Sequence, residues 1–96
     1  MIETIDGLDF DGASLPDPMR RLVPHYRRFA ITDDVNRERV IEEATAAELE
    51  ELVQTFTPLW PDVMAYLDRD SHSNEEVLTD AFAQAVMEAQ IELKHR

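Results

Sequence analysis

The sequence predicts an all-α fold: a small bundle of four helices, or five if prolines divide one of them, behind an acidic irregular N-terminal segment. Three observations carry this expectation. Leu49, Val53, Phe56, Trp60, Val63 and Leu67 recur at spacings of four and three, the two-in-seven seam of a packed helix. Leu78, Ala81, Phe82, Ala85, Val86, Ala89 and Leu93 mark one face of a second long helix. Two glycines and five prolines in 96 residues describe a helix-rich chain with discrete breaks. A chain of this length builds one core, so residues 1–16 read as a lead-in and residues 17–96 as a single helical-bundle domain.

In the lead-in, Glu3, Asp6, Asp9, Asp11 and Asp17 carry negative charge with no cation among them. Leu8 and Phe10 alternate with aspartates, the pattern of a short edge strand. Gly7, Gly12 and Pro16 favour an irregular path instead. Asp17-Pro18 then supplies a helix start, aspartate as N-cap and proline at the first helical position. From there Met19, Leu22, Val23, Tyr26, Phe29 and Ala30 fall on one face and Arg20, Arg21, Arg27 and Arg28 on the other, with Pro24 as a kink on the arginine side.

Thr32-Asp33-Asp34 opens a second, weaker helix through about Glu43, with Val35, Val40 and Ile41 as its apolar content. Thr45 and Glu48 form a capping box that starts the third helix. Pro58 and Pro61 either kink that helix between Ala46 and Leu67 or split it near Thr57, with Trp60 as a core anchor of the seam. Residues 68–74 read as a polar loop. Ser73 and Glu76 form a second capping box, from which the last helix runs to about Lys94.

Composition excludes several classes of chemistry. There is no cysteine, hence no disulfide, thiolate metal site or thiol nucleophile. There is no Gly-x-Ser-x-Gly elbow and no glycine-rich phosphate loop. Asp9, Asp11 and Gly12 echo the centre of a calcium loop, but glycine stands at its first position and Pro18 at its twelfth. Asp68-Arg69-Asp70 is a weaker echo. Glu92-x-x-His95 is solitary, and His25 and His72 share no ligand spacing with it. The expectation is a chain with no catalytic residues, no metal and no cofactor. No apolar run approaches a membrane span and the first residues lack a signal-peptide pattern, which points to the cytoplasm. Lys94 is the only lysine beside eight arginines, a bias typical of GC-rich bacterial genomes.

The net charge of −12 is the strongest global feature, and it is segregated. Residues 1–17 carry −5, residues 18–39 carry +3, residues 40–76 carry −9 and residues 77–96 carry −1. The arginine face reads as a solvated surface neutralised by the protein's own acids, because the surrounding field opposes phosphate; no nucleic-acid partner is expected. The acidic belt at Glu42, Glu43, Glu48, Glu50 and Glu51, continued by Asp62, Asp68, Asp70, Glu75 and Glu76, suits a basic protein partner. The functional expectation is a small acidic non-enzymatic protein-binding module, of inhibitor, immunity or adaptor type. The alternative is a homodimeric structural protein associating through Ala83, Met87 and Ile91, a second apolar stripe on the last helix.

Overall fold

The structure, a computed structural model, describes residues 2–69 and 72–96. Met1, Asp70 and Ser71 lie outside the described residues, and with Asp70 goes one position of the acidic belt and of the weaker calcium-loop echo. The chain begins with a hairpin, β1 (Ile2–Ile5) and β2 (Leu8–Asp11), paired antiparallel with Ile5 opposite Leu8 and Glu3 opposite Phe10. This corrects the expected irregular lead-in. Asp6 and Gly7 both adopt positive φ, 51° and 79°, the combination that lets a two-residue loop follow the twist of its strands. Cross-strand partners share a face, so Ile5, Leu8 and Phe10 point inward together; Ile5 and Phe10 are buried.

The hairpin is fastened to the helices by polar contacts. Asp6 Oδ2 accepts from the Thr32 backbone N–H (2.8 Å) and hydroxyl (2.7 Å). The Asn74 side chain donates to the Asp9 carbonyl (2.9 Å), and the Asp11 N–H donates to Glu75 (3.2 Å). Ile5, Phe10 and Leu15 of the acidic segment belong to the same hydrophobic cluster as the helices.

A short 3-10 turn at Gly12–Ser14 leads to a 3-10 segment, Asp17–Leu22, and then to α1 (Val23–Phe29). The expected single helix kinked at Pro24 is thus resolved differently. Pro24 lies in the first turn of α1, where its missing N–H has no intrahelical partner to lose. Asp17 is the first residue of the 3-10 segment rather than its cap. α2 (Asp34–Glu43) starts on Asp33, whose carboxylate accepts from the Asn36 N–H. Val35 on this helix is exposed, whereas Arg37 is buried alongside Ile41.

α3 (Ala46–Phe56), a 3-10 turn (Thr57–Leu59) and α4 (Trp60–Leu67) follow without an intervening loop, Pro58 and Pro61 each sitting in a first turn. The fully inward stripe is Leu49, Leu52, Phe56, Leu59, Val63 and Tyr66. Val53 and Leu67, placed in the seam by spacing, pack only partly against the core, and Trp60 is 42% exposed. Both members of the pairs 52/53, 59/60 and 66/67 are apolar, so periodicity could not say which faces inward.

α5 (Asn74–Lys94) is the axis of the fold and packs against β2 and all four other helices. Ala81, Ala83, Ala85 and Ala89 are buried on it, small enough to admit neighbours on several sides. A chain of rings crosses the interior from the hairpin to the surface: Phe10 to Tyr26 (5.5 Å between centroids), Tyr26 to Phe82 (4.5 Å), Phe82 to Phe56 (5.9 Å) and Phe56 to Trp60 (5.5 Å). Thr79 donates its single hydroxyl proton to the Glu75 carbonyl (2.7 Å), so the Tyr26 hydroxyl is the donor in the 2.7 Å Tyr26–Thr79 bond. Burial, only partly offset by that bond, drives the Tyr26 phenol pKa well above its usual value.

Tyr26→Phe leaves Thr79 bonded to Glu75 and orphans no donor, so it should cost about 1 kcal/mol. Phe82→Ala opens a cavity at the centre of the ring chain and should cost about 3–5 kcal/mol. Urea unfolding of the two variants checks both values; equal losses would contradict the hub role given to Phe82.

Candidate docking surface

The positive charges are largely spent inside the molecule. Arg27 forms a bidentate pair with Glu3 (2.7 and 2.9 Å), which holds the Glu3 carboxyl below its usual pKa and raises that of the guanidinium. Arg20 reaches Asp17 (2.9 Å) and the carbonyls of Leu15 and Ala13. Arg28 pairs with Glu48. Of the four-arginine face, Arg21 is exposed and makes none of these contacts. Glu3 and Asp17 of the lead-in, with Glu48, are the acids that neutralise it.

Arg37 was not singled out by sequence patterning, yet its side chain is only 4% exposed. It donates to both oxygens of Glu88 (3.1 Å each), to Gln84, to Asp34 and to the Ile31 carbonyl. Desolvation opposes the charged form, and the bonds to Glu88 and Asp34 more than offset it, so the Arg37 pKa is raised. The signal in the sequence was faint: Arg37 shares the inward side of α2 with Val40 and Ile41, and Gln84 and Glu88 are one turn apart on α5. Arg96 donates to the Ile41, Glu42 and Ala44 carbonyls at the end of α2, satisfying acceptors that the helix leaves open.

The belt residues divide on the same logic. Glu48 is not available to a partner as expected, because both its oxygens are occupied: Oε1 accepts from the Thr45 N–H (2.9 Å) and Oε2 from Arg28. With the reciprocal bond from the Glu48 N–H to the Thr45 hydroxyl (3.1 Å), this is the capping box that the sequence predicts. Glu42, Glu43, Glu50 and Glu51 are exposed and have no ion pair among the described residues. They lie at the end of α2 and the start of α3, close in sequence and on outward faces.

The second apolar stripe also divides. Ala83 is buried, because α5 is packed on more sides than an outer helix and its inward arc extends to that residue. Met87 and Ile91 remain exposed, 45% and 56%. Trp60, expected as a core anchor, joins them at the surface, since Leu59 takes the inward position beside it. Phe56, Thr57, Trp60, Val86, Met87 and Gln90 line an apolar groove of about 270 Å³ between the α3–α4 path and α5. On the other side of α5, a second groove of the same volume is lined by Ile41 and Ile91 together with Glu38, Glu42, Glu88 and Glu92.

A concavity of about 480 Å³ lies between α2 and the first half of α5 and includes Asp34, Arg37, Arg69, His72 and Asp80. Each guanidinium nitrogen of Arg37 is already hydrogen-bonded within the chain, so this side of the cleft reads as the outer face of a structural network. Among the described residues, no group of three or more His, Asp or Glu is arranged to hold a metal ion, and no helix is long and apolar enough to cross a membrane. Comparison with protein families, with curated proteins and with solved structures finds no match to this chain.

Arg28, then the Thr45 amide and hydroxyl, hold the Glu48 carboxyl at about 2, below an ordinary 4.5. A carboxyl whose pKa is depressed on folding stabilises the fold above its unfolded pKa and loses that contribution as pH falls through the folded value. Glu48→Gln should therefore lower stability at neutral pH and flatten the decline between pH 4.5 and about 2. The decline should persist in part, because Glu3 titrates in the same direction. Urea midpoints across that range test this; an acid limb identical in both proteins would contradict the assigned contacts.

Proposed function

We propose that this chain is a non-enzymatic protein-binding module that presents an acidic surface to a basic partner, in the manner of an inhibitor, immunity or adaptor protein. One observation carries the reading. Arg20, Arg27, Arg28, Arg37 and Arg96 are engaged by contacts within the chain, while Glu42, Glu43, Glu50 and Glu51 are exposed and have no ion pair among the described residues. In a chain of net charge −12, that arrangement concentrates negative potential outside the molecule, where it accelerates encounter with basic surfaces and rejects acidic ones. The same field disfavours nucleic acid.

The alternative, a homodimeric structural protein, is favoured by the exposure of Met87 and Ile91. It loses Ala83, which is buried, and it must bring two acidic copies together.

Immobilised protein incubated with extract from its native host should retain basic proteins at about 50 mM salt and release them by about 300 mM, where screening shortens the range of surface charge. Reversing Glu42, Glu43, Glu50 and Glu51 to lysine should abolish retention, whereas Asp17→Lys should not. Retention that ignores salt, or survives the fourfold reversal, would overturn the reading.

A further inference from the structure

The two grooves that flank the exposed face of α5 have complementary character. Trp60 and Met87 border one. Ile91, one turn beyond Met87 on the same face, borders the other among Glu38, Glu42, Glu88 and Glu92. Trp60, Met87 and Ile91 are all among the large apolar side chains left exposed. Glu88 and Glu92 share their charge with Arg37 and Arg96, while Glu38 and Glu42 are exposed and make no ion pair among the described residues. On the opposite side, Glu50 precedes Thr57 by two turns and so lies on the groove side of α3. This apolar strip is thus bordered by carboxylates at the second groove, with Glu50 two turns before Thr57 on α3 and Lys94 about one turn beyond Ile91.

We infer that this strip seats an amphipathic helix of the basic partner, with large apolar side chains against Trp60, Met87 and Ile91 and lysines or arginines opposite Glu38, Glu42 and Glu50. The inference rests on the acidic-docking reading and sharpens it: charge brings the partner in, and the apolar strip supplies the contact that fixes its position. Each groove lies between packed helical segments, and the face of α5 between them offers Met87 and Ile91 to a helix laid across it. Charge selects the occupant. A second copy would set Glu38 and Glu42 against acids of an equally negative chain, whereas a basic helix meets them with opposite charge. The Phe56–Trp60 edge contact anchors one side of the indole and leaves the rest for a ligand.

Trp60 is the only tryptophan, so its emission reports directly on the strip. The probe is a tryptophan-free peptide of leucine and lysine, about 18 residues or five helical turns long, with leucines at helical spacing. A peptide of identical composition with the leucines scattered is the control. The ordered peptide should shift Trp60 emission to shorter wavelength, and the scattered one should not. Met87→Glu and the pair Glu38→Lys with Glu42→Lys should each weaken ordered-peptide binding by about tenfold or more. All three positions are exposed or on the rim, so the variants should fold, and unchanged urea midpoints would confirm it. If both peptides bind equally without moving the Trp60 emission, the acidic surface stands but the strip is not its anchor, and the inference is overturned. A blue shift that grows with protein concentration alone would also overturn it, because a second copy would then be the occupant. Failure of the ordered peptide to bind would remove the inference irrespective of what host extract shows.

Discussion

Tyr26 is where the separate parts of this small fold meet. Its ring packs between Phe10 of the hairpin and Phe82 of α5, and its hydroxyl donates to Thr79 at zero exposure. A buried phenol without a partner is costly, so the hydrogen bond fixes where α1 can sit along α5. From Phe82 the ring contacts continue through Phe56 to Trp60, so the core reaches the surface as one stack. The position of the exposed indole is thereby set from inside.

Charge is organised by the same economy. A chain with nine cations and twenty-one acids can neutralise only a minority of its carboxylates, and which ones it neutralises decides what the surface offers. Here the arginines close structural junctions. Arg27 ties α1 to β1, Arg28 ties α1 to α3, Arg37 ties α2 to α5, and Arg96 closes the end of α2. Arg37 is the extreme case: burial of a guanidinium is unfavourable unless it is paired and hydrogen-bonded, and each of its three nitrogens has an acceptor here. The carboxylates left over include Glu42, Glu43, Glu50 and Glu51, with Glu38 on α2.

Local chemistry was legible in the sequence wherever a short-range rule decides the structure. The Thr45–Glu48 capping box, the Asp33 cap and the Ser73 start of α5 stand where side-chain spacing puts them. The all-helical body behind an acidic segment was legible as well. The hairpin was not recognised, although Asp6-Gly7 is the dipeptide that its tight turn calls for. What local rules could not decide was tertiary. Leu59 or Trp60 could each have faced inward on periodicity, and packing against α5 chose Leu59. Ala83 appeared to belong to an outer stripe because one helix viewed alone does not disclose how many neighbours surround it. Glu48 looked like a free belt residue because Arg28 is twenty positions away. Long-range pairing likewise hid the burial of Arg37.

Trp60 stands exposed on a chain of net charge −12 in which several arginines are paired with the protein's own acids. Quenching of its fluorescence by ions of opposite sign measures this directly. At low salt, caesium should quench Trp60 more effectively than iodide, relative to a free tryptophan derivative, and the difference should shrink as added salt screens the field. Neutral acrylamide should quench readily at any salt. Iodide as effective as caesium, or an indole inaccessible to acrylamide, would contradict the account.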